Sequence, residues 1–278
     1  MKKAGFQITE ICRGLSLSRS VYYAGRQSKP LNTDELRLRA AMKAIHHQMD
    51  ATYGTRRMQI ELNEMGYKIG RFKVRRMMKQ HNLLAKRPKQ HRYPAGGRPS
   101  VIAANSLNRQ FNPEQPNTHW AGDITYIRTG QGWLYLAVVV ELFSRKIISW
   151  AFSDKPNSEL TTRALRLAMN KRSPTENVLF HSDQGAQYTS ESFQRCLREH
   201  GVICSMSRKG NCLDNAVTER FFRSLKSERV NYRRYQTRHE AIADIIDYIE
   251  PFYNQKRRHS KLGNISPAKY EENYLKTA

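Results

Sequence analysis

The chain has 278 residues, of which 48 are Lys or Arg and 24 are Asp or Glu, giving a formal net charge of +24. With 39% hydrophobic residues it can bury a sizeable core, which argues against intrinsic disorder, and its length suits one large domain or two modest ones. No apolar run reaches the roughly 18 residues of a membrane span, residues 4–19 hold no signal-like apolar stretch, and Cys12, Cys196, Cys204 and Cys212 form no CxxC pair for a zinc finger.

A polyanion, nucleic acid in particular, is the natural partner for this charge, which is unevenly placed. Residues 1–100 hold 22 basic and 6 acidic side chains, a net of +16, whereas 120–230 hold 16 against 11 and 231–278 hold 9 against 6. The basic third reads as helical. Ile8 to Leu15, a turn at Ser16 and Leu17, and Ser18 capping Arg19 to Tyr23 form a short helical pair. Asp34 is a cap for a helix to about Met49, and Thr55 for another carrying Met58, Ile60, Leu62 and Met65. A break at Gly66 to Gly70 leads into Arg71 to His81. There Val74, Met77 and Met78 make an inward stripe, while Arg71, Arg75 and Lys79 recur every fourth residue on another face. A basic helix after a short turn is what a helix-turn-helix offers a DNA groove.

Residues 87–116, rich in Pro, Gly, Asn, Ser and Gln, read as a linker. The pattern then changes to strands at His119 to Arg128, Trp133 to Val140 and Lys146 to Phe152. A helix over Leu160 to Met169, capped by Ser158 or Asn157, is followed by a strand at Val178 to His181 and a helix from Ser190 to His200. A strand at Val202 to Met206 and a helix from Asn215 to about Val230 complete the series. The order βββαβαβα predicts an α/β fold, a mixed sheet begun by a meander and flanked by helices. The organisation read from sequence is thus 1–86 helical and DNA-binding, 87–116 linker, 117–230 core, and 231–278 a helical, basic extension.

Three acids stand at informative places in that order. Asp123 lies inside the first apolar strand, where a charge is costly unless paired or metal-bound. Asp183 ends the fourth strand, at a carboxyl end where α/β sites open. Glu219 lies one turn into a helix, thirty-five residues separating it from Asp183. Asp214 and Glu228 are read as bystanders, a loop or cap residue and a solvated charge. His181 beside Asp183 is read as a packing or hydrogen-bonding group rather than a general base.

These pieces resemble the transposases of bacterial insertion sequences, in the retroviral-integrase-like group encoded by a second reading frame. The resemblance rests on Tyr53-Gly54-Thr55-Arg56-Arg57, Asp123-Ile124-Thr125-Tyr126, Phe143-Ser144-Arg145, His181-Ser182-Asp183-Gln184-Gly185, and Ser205-Met206-Ser207-Arg208-Lys209-Gly210-Asn211. It continues through Asn215-Ala216, Glu219-Arg220-Phe221-Phe222, and the tail from Tyr253-Asn254 to Pro267. Glu141 stands where an aspartate is common and Leu213 where an aromatic is common, and no His-His-Cys-Cys module precedes the core. The resemblance implies an RNase H-like core behind the helix-turn-helix region, with Asp123, Asp183 and Glu219 as the catalytic triad. It also implies cleavage of element ends and transfer of the 3′ hydroxyl strand.

Such chemistry needs an activated oxygen nucleophile, a neutralised phosphate and a stabilised leaving oxygen. Three carboxylates holding two Mg²⁺ ions, with Mn²⁺ as a substitute, supply all three, Asp123 bridging and each of the others serving one ion. The resemblance also marks Lys226, seven residues beyond Glu219 and therefore on the same helical face, as a DNA-positioning group. Arg208 and Lys209 in a basic loop, and Arg257 and Arg258 in the tail, are further candidate DNA contacts. Expected partners are double-stranded DNA, terminal inverted repeats and a target, with a homo-oligomer on DNA and an upstream-frame partner or fusion. Expected location is the bacterial cytoplasm, at the nucleoid and off the membrane. The rival readings are a nuclease on the same core that only hydrolyses, and a DNA-binding regulator with an unused core.

Overall fold

A computed structural model describes residues 7–24, 32–86, 103–108, 110–175, 177–207 and 216–277. Its centre is a five-stranded mixed sheet in the order β3-β2-β1-β4-β5. β1 (His119–Thr129), β2 (Gly132–Glu141) and β3 (Ile147–Ser153) form the anticipated antiparallel meander. β4 (Leu179–Ser182) then runs parallel to β1, and β5 (Ile203–Met206) parallel to β4.

The period-two alternation of β1 and β2 divides the sheet into two apolar faces. Trp120 of β1 and Ala137 and Val139 of β2 face α6 (Ser158–Arg172) and α7 (Glu191–Glu199), packing with Leu160, Leu165, Phe193 and Leu197. Ile127, Leu136, Val138 and Val140 face the other way, against Phe221 and Leu225 of α8 (Ala216–Glu228) and Ile245 of α9 (Arg238–Asp247). A π-helical stretch, Tyr248–Asn254, adds Tyr248, Ile249 and Phe252 to that side, and α10 (Pro267–Thr277) closes the chain.

The amino-terminal region comprises α1 (Ile8–Gly14), α2 (Arg19–Ala24), α3 (Thr33–Gln48), α4 (Thr55–Glu64) and α5 (Arg71–Gln80). Met42, Met58, Leu62, Val74 and Met77 belong to the same apolar cluster as the α8 face of the sheet. Thus α3, α4 and α5 share one interior with the core. Among the described residues, no helix is long and apolar enough to cross a membrane.

Two helix caps differ from expectation. Asn32 caps α3, its side-chain oxygen accepting from Glu35 N at 3.1 Å, and Asp34 sits in the first turn, where its charge faces the helix dipole. α4 is preceded by Gly54, and Thr55 is its first helical residue. Of the two caps proposed for α6, Asn157 is the one used, accepting from Leu160 N at 3.2 Å.

Candidate active site

The β1–β4 pairing brings two of the acids together. His119 pairs with Leu179 and Ala121 with His181, an offset of 60 residues, and the same offset carried two residues further sets Asp123 level with Asp183. Close approach is built into the strand. A Cβ on Gly122 would lie 2.4 Å from the Phe180 ring and 3.3 Å from the Tyr188 hydroxyl, so a side chain there would push β1 from its neighbour. Gly185 does the same for the loop, since its N–H donates to Asp183 Oδ1 at 3.0 Å and a Cβ would lie 2.9 Å from that oxygen. Asp123 shares its face with Ile127, whose cluster includes Phe221 and Leu225, and so α8 delivers Glu219 to the same side.

The electrostatics carry the mark of this convergence. Burial first, then the Asp183 and Glu219 charges, push the Asp123 carboxyl well above the usual carboxylate range. The 2.7 Å bond from Ile124 N to Asp123 Oδ1 and the Lys226 charge offset this only in part. Burial raises Asp183, against the pull of the Gly185 N–H, and burial with the Asp183 charge raises Glu219, against Arg223. Three like charges are therefore held together with too little positive charge from the protein.

Lys226 reaches this site. Its Nζ lies 4.8 Å from the Tyr126 ring centroid, where burial lowers its basicity and the Asp123 charge supports it. Tyr126 in turn meets Trp133 edge to face at 5.2 Å. Tyr188 is a neighbour that sequence reading missed. It is buried, and burial together with the Asp123 and Asp183 charges pushes its hydroxyl well above the ordinary value. Its only advance signal was its place five residues beyond Asp183. His181 is buried, with Nδ1 2.9 Å from Ser205 Oγ across the β4–β5 pair, in keeping with a hydrogen-bonding group.

Other candidates go elsewhere. Arg257 and Arg258 were expected to meet DNA, and the fold turns both inward. Arg257 Nε and Nη2 donate to Glu228 at 2.7 and 2.6 Å, while Arg258 Nε donates to Glu61 at 2.6 Å and its Nη1 to Glu64 at 2.9 Å. Both are almost fully buried, since an arginine placed between helices must find carboxylates there. Glu228 is accordingly no solvated charge but the acceptor for Arg257 and for the Tyr248 hydroxyl at 2.7 Å. Arg71, Arg75 and Lys79 stand exposed along α5, with Phe72 among them 81% exposed. Arg208, Lys209, Cys212 and Asp214 lie outside the described residues, as does most of the linker.

The closest trio of metal-binding side chains among the described residues is a different one. Cys196, Glu199 and His200 bring their ligand atoms within 4.8 Å of one another, which the three acids do not. His200 Nδ1, however, is already 2.9 Å from Cys196 O, the contact of an ordinary helix end.

Residues 113–212 match the integrase core domain family, 219–275 a second integrase core domain family, and 33–91 the HTH-like domain. With a five-stranded mixed sheet carrying convergent acids, these matches define an integrase-core enzyme with a helix-turn-helix-like region in front, of RNase H-like fold. The insertion element IS600 uncharacterized 31 kDa protein of Shigella sonnei is 40% identical over 272 residues, spanning 96% of this chain and 100% of that one. Transposase InsF for insertion sequence IS3A of Escherichia coli (strain K12) is 37% identical over 280 residues, spanning 98% and 96%. A solved chain of the simian T-cell lymphotropic virus intasome, in complex with PP2A regulatory subunit B56 gamma, superposes with a TM-score of 0.49 at 16% identity, over 79% of this chain and 70% of that one.

The chain belongs to the IS3-family transposases. Its activity is that of a polynucleotidyl transferase in DNA transposition, and membership favours this over the hydrolysing nuclease and the regulator.

Proposed function

We propose that this transposase cuts the ends of its insertion sequence and joins the 3′ hydroxyl strand to a target, using Asp123, Asp183 and Glu219 to hold two Mg²⁺ ions, with Mn²⁺ able to replace them. The observation that carries the reading is the convergence of three carboxylates in a partly buried site, where burial raises all three, the Asp183 charge raises Asp123 and Glu219, and the Glu219 charge adds to Asp123. Carboxylate oxygens are the hard donors that Mg²⁺ prefers. In octahedral coordination at about 2.1 Å, two ligand oxygens stand at most about 4.2 Å apart. Acids spread more widely than one ion can bridge therefore suit a pair. Bound there, the ions would activate the attacking oxygen and stabilise the leaving one.

The protein's own groups do the rest. Asp123 on β1 and Asp183 just past the end of β4 provide the rigid side of the site, and Glu219 closes it from α8. Lys226, whose Nζ rests over the Tyr126 ring, would hold a terminal phosphate beside the acids without taking a proton. Arg71, Arg75 and Lys79 on α5 meet the duplex, a basic face matched to a groove and its phosphates. The molecules act as a homo-oligomer on paired terminal repeats and target DNA, with an upstream-frame partner or fusion, in the cytoplasm at the nucleoid.

The test is strand cleavage and joining on a duplex bearing the element's own end. Asp123→Asn, Asp183→Asn and Glu219→Gln should each bring product below detection while filter binding of the duplex persists. Normal Mg²⁺-dependent cleavage by any of the three, correctly folded, would remove it from the triad. In the same assay Lys226→Ala should reduce joining of the correct end by about tenfold or more, the loss of one charged phosphate contact, with partial rescue by Lys226→Arg. Equal joining by Lys226→Ala and the parent would end the positioning role.

A further inference from the structure

Round α8 from the three acids lies a second site, a basic cleft of about 220 Å³. Arg220 and Ser224 reach it from a helical face roughly 100° or more from that of Glu219. Arg57 from α4, Arg145 from the turn after β2, and Arg257, His259 and Lys261 from the carboxyl-terminal segment complete its polar wall. Distant parts of the sequence thus send five cations to one place. Glu228 is the carboxylate they share, bonded to Arg257 and 3.9 Å from Arg57. Arg145 spends Nη1 on the carbonyls of Phe111 and Leu142, both at 2.6 Å, which satisfy its hydrogens but leave its charge. Neither Arg220 nor Lys261 forms a salt bridge among the described residues.

A second observation concerns a residue of the cleft wall. His259 is only 8% exposed, and its Nδ1 has no hydrogen-bond partner. Burial, followed by the charges of Arg257, Arg145, Arg57 and Arg220, pushes this imidazole down to about 3. The ring is therefore neutral, and an Nδ1–H tautomer would have a donor to offer an anion. A buried polar nitrogen without a partner, beside five cations that share one carboxylate, is the shape of a site awaiting oxygen acceptors.

We propose that this cleft binds a phosphate of DNA, at a point separate from the three acids, so that one DNA strand is gripped on two faces of α8. The proposal rests on the DNA-transposing reading above. Guanidinium groups favour phosphate over other anions through paired N–H donation. The volume equals about seven waters at about 30 Å³ each, room for a phosphodiester and part of its sugar.

The test uses the full chain without divalent ions, so that loss of cleavage cannot confuse it. Duplex affinity is measured across a salt series for the parent, for Arg220→Gln and Lys261→Gln, and for Lys276→Gln as an exposed control on α10. In parallel the ¹⁵N resonances of the His259 ring, identified by their loss in His259→Gln, are followed during additions of duplex or of inorganic phosphate. Arg220→Gln and Lys261→Gln should each make the log–log salt slope shallower by about 0.9, the value of one lost phosphate contact, with Lys276→Gln unchanged. The duplex should move the His259 signal. Movement with inorganic phosphate and none with the duplex would overturn the DNA assignment in favour of a free anion. Parental slopes in both variants would overturn the site alone, whereas a chain that binds no duplex would overturn it together with the DNA-transposing reading.

Discussion

Asp123 is the least comfortable side chain in the active site, since burial and two neighbouring carboxylates all oppose its charge. A group whose carboxyl is raised on folding weakens the folded state wherever the unfolded chain would ionise it. Without divalent ions, Asp123→Asn should therefore be more stable than the parent by about 1 kcal/mol, a common exchange of stability for function. The gain should shrink as pH falls towards the unfolded aspartate value of about 3.9, where a proton already removes the charge. Thermal melting in chelator at pH 8 and pH 4.5 checks both parts; equal melting of the two chains at pH 8 would show that the repulsion is relieved in some other way. The acids were legible in the sequence because each sat at a telling point of a strand or helix and their spacing matched a known pattern. The internal partners of Arg257 and Arg258 were not legible because they are distant. Glu228 is 29 residues from Arg257, and Glu61 is 197 from Arg258, so nothing local distinguished a DNA-facing arginine from one locked inside.

At the level of elements, α8 does several jobs at once. Glu219 and Lys226 face the acids, Phe221 and Leu225 fill the core, and Glu228 receives Arg257 and Tyr248 at its end. Glu228→Gln would leave Arg257 buried with its charge unmatched and Arg57 close by. Breaking a buried pair in this way costs about 3 to 5 kcal/mol, which urea unfolding should read as a lower midpoint with little change in slope. A cost below about 1 kcal/mol would mean that Arg257 finds another acceptor. Strands and long helices were legible through their periodicities, whereas the π-helical stretch was not. Asn254 explains its place there. It is fully buried, accepts from Ile147 N and donates to Ile147 O, both at 3.0 Å, and so clasps the start of β3 as a neighbouring strand would. That need is visible only once β3 is known to be an edge strand.

For the whole molecule, the sequence suggested a basic front joined to a core by a linker, and the shared interior qualifies that picture. Tyr53 is buried, donates to Lys256 O at 3.3 Å and accepts from Arg258 N at 2.9 Å, fastening the amino-terminal helices to the carboxyl-terminal segment. A chain beginning at Asn117 should lose end preference and show a salt slope shallower by several units, since most of the excess charge precedes it. It should also melt at a lower temperature or aggregate, because removing α3 to α5 uncovers apolar surface around Tyr248 and Tyr253. Filter binding and light scattering measure the two effects. Equal salt slopes would show that the basic front takes no part in binding, and an unchanged melting temperature would show that the shared interior adds nothing to stability.

The same interior sets an order of events during synthesis. Met77 and Tyr248 belong to one apolar cluster, yet the ribosome makes them 171 residues apart. At about 5 to 20 residues per second, some 10 to 30 s pass between them. Throughout that interval the amino-terminal helices have been made but lack the surface against which they finally close. Contacts of such long range also slow folding itself. The newborn protein therefore spends some 10 to 30 s with an open apolar seam, and any chaperone that attends it should be found there, released only after the carboxyl-terminal segment has emerged.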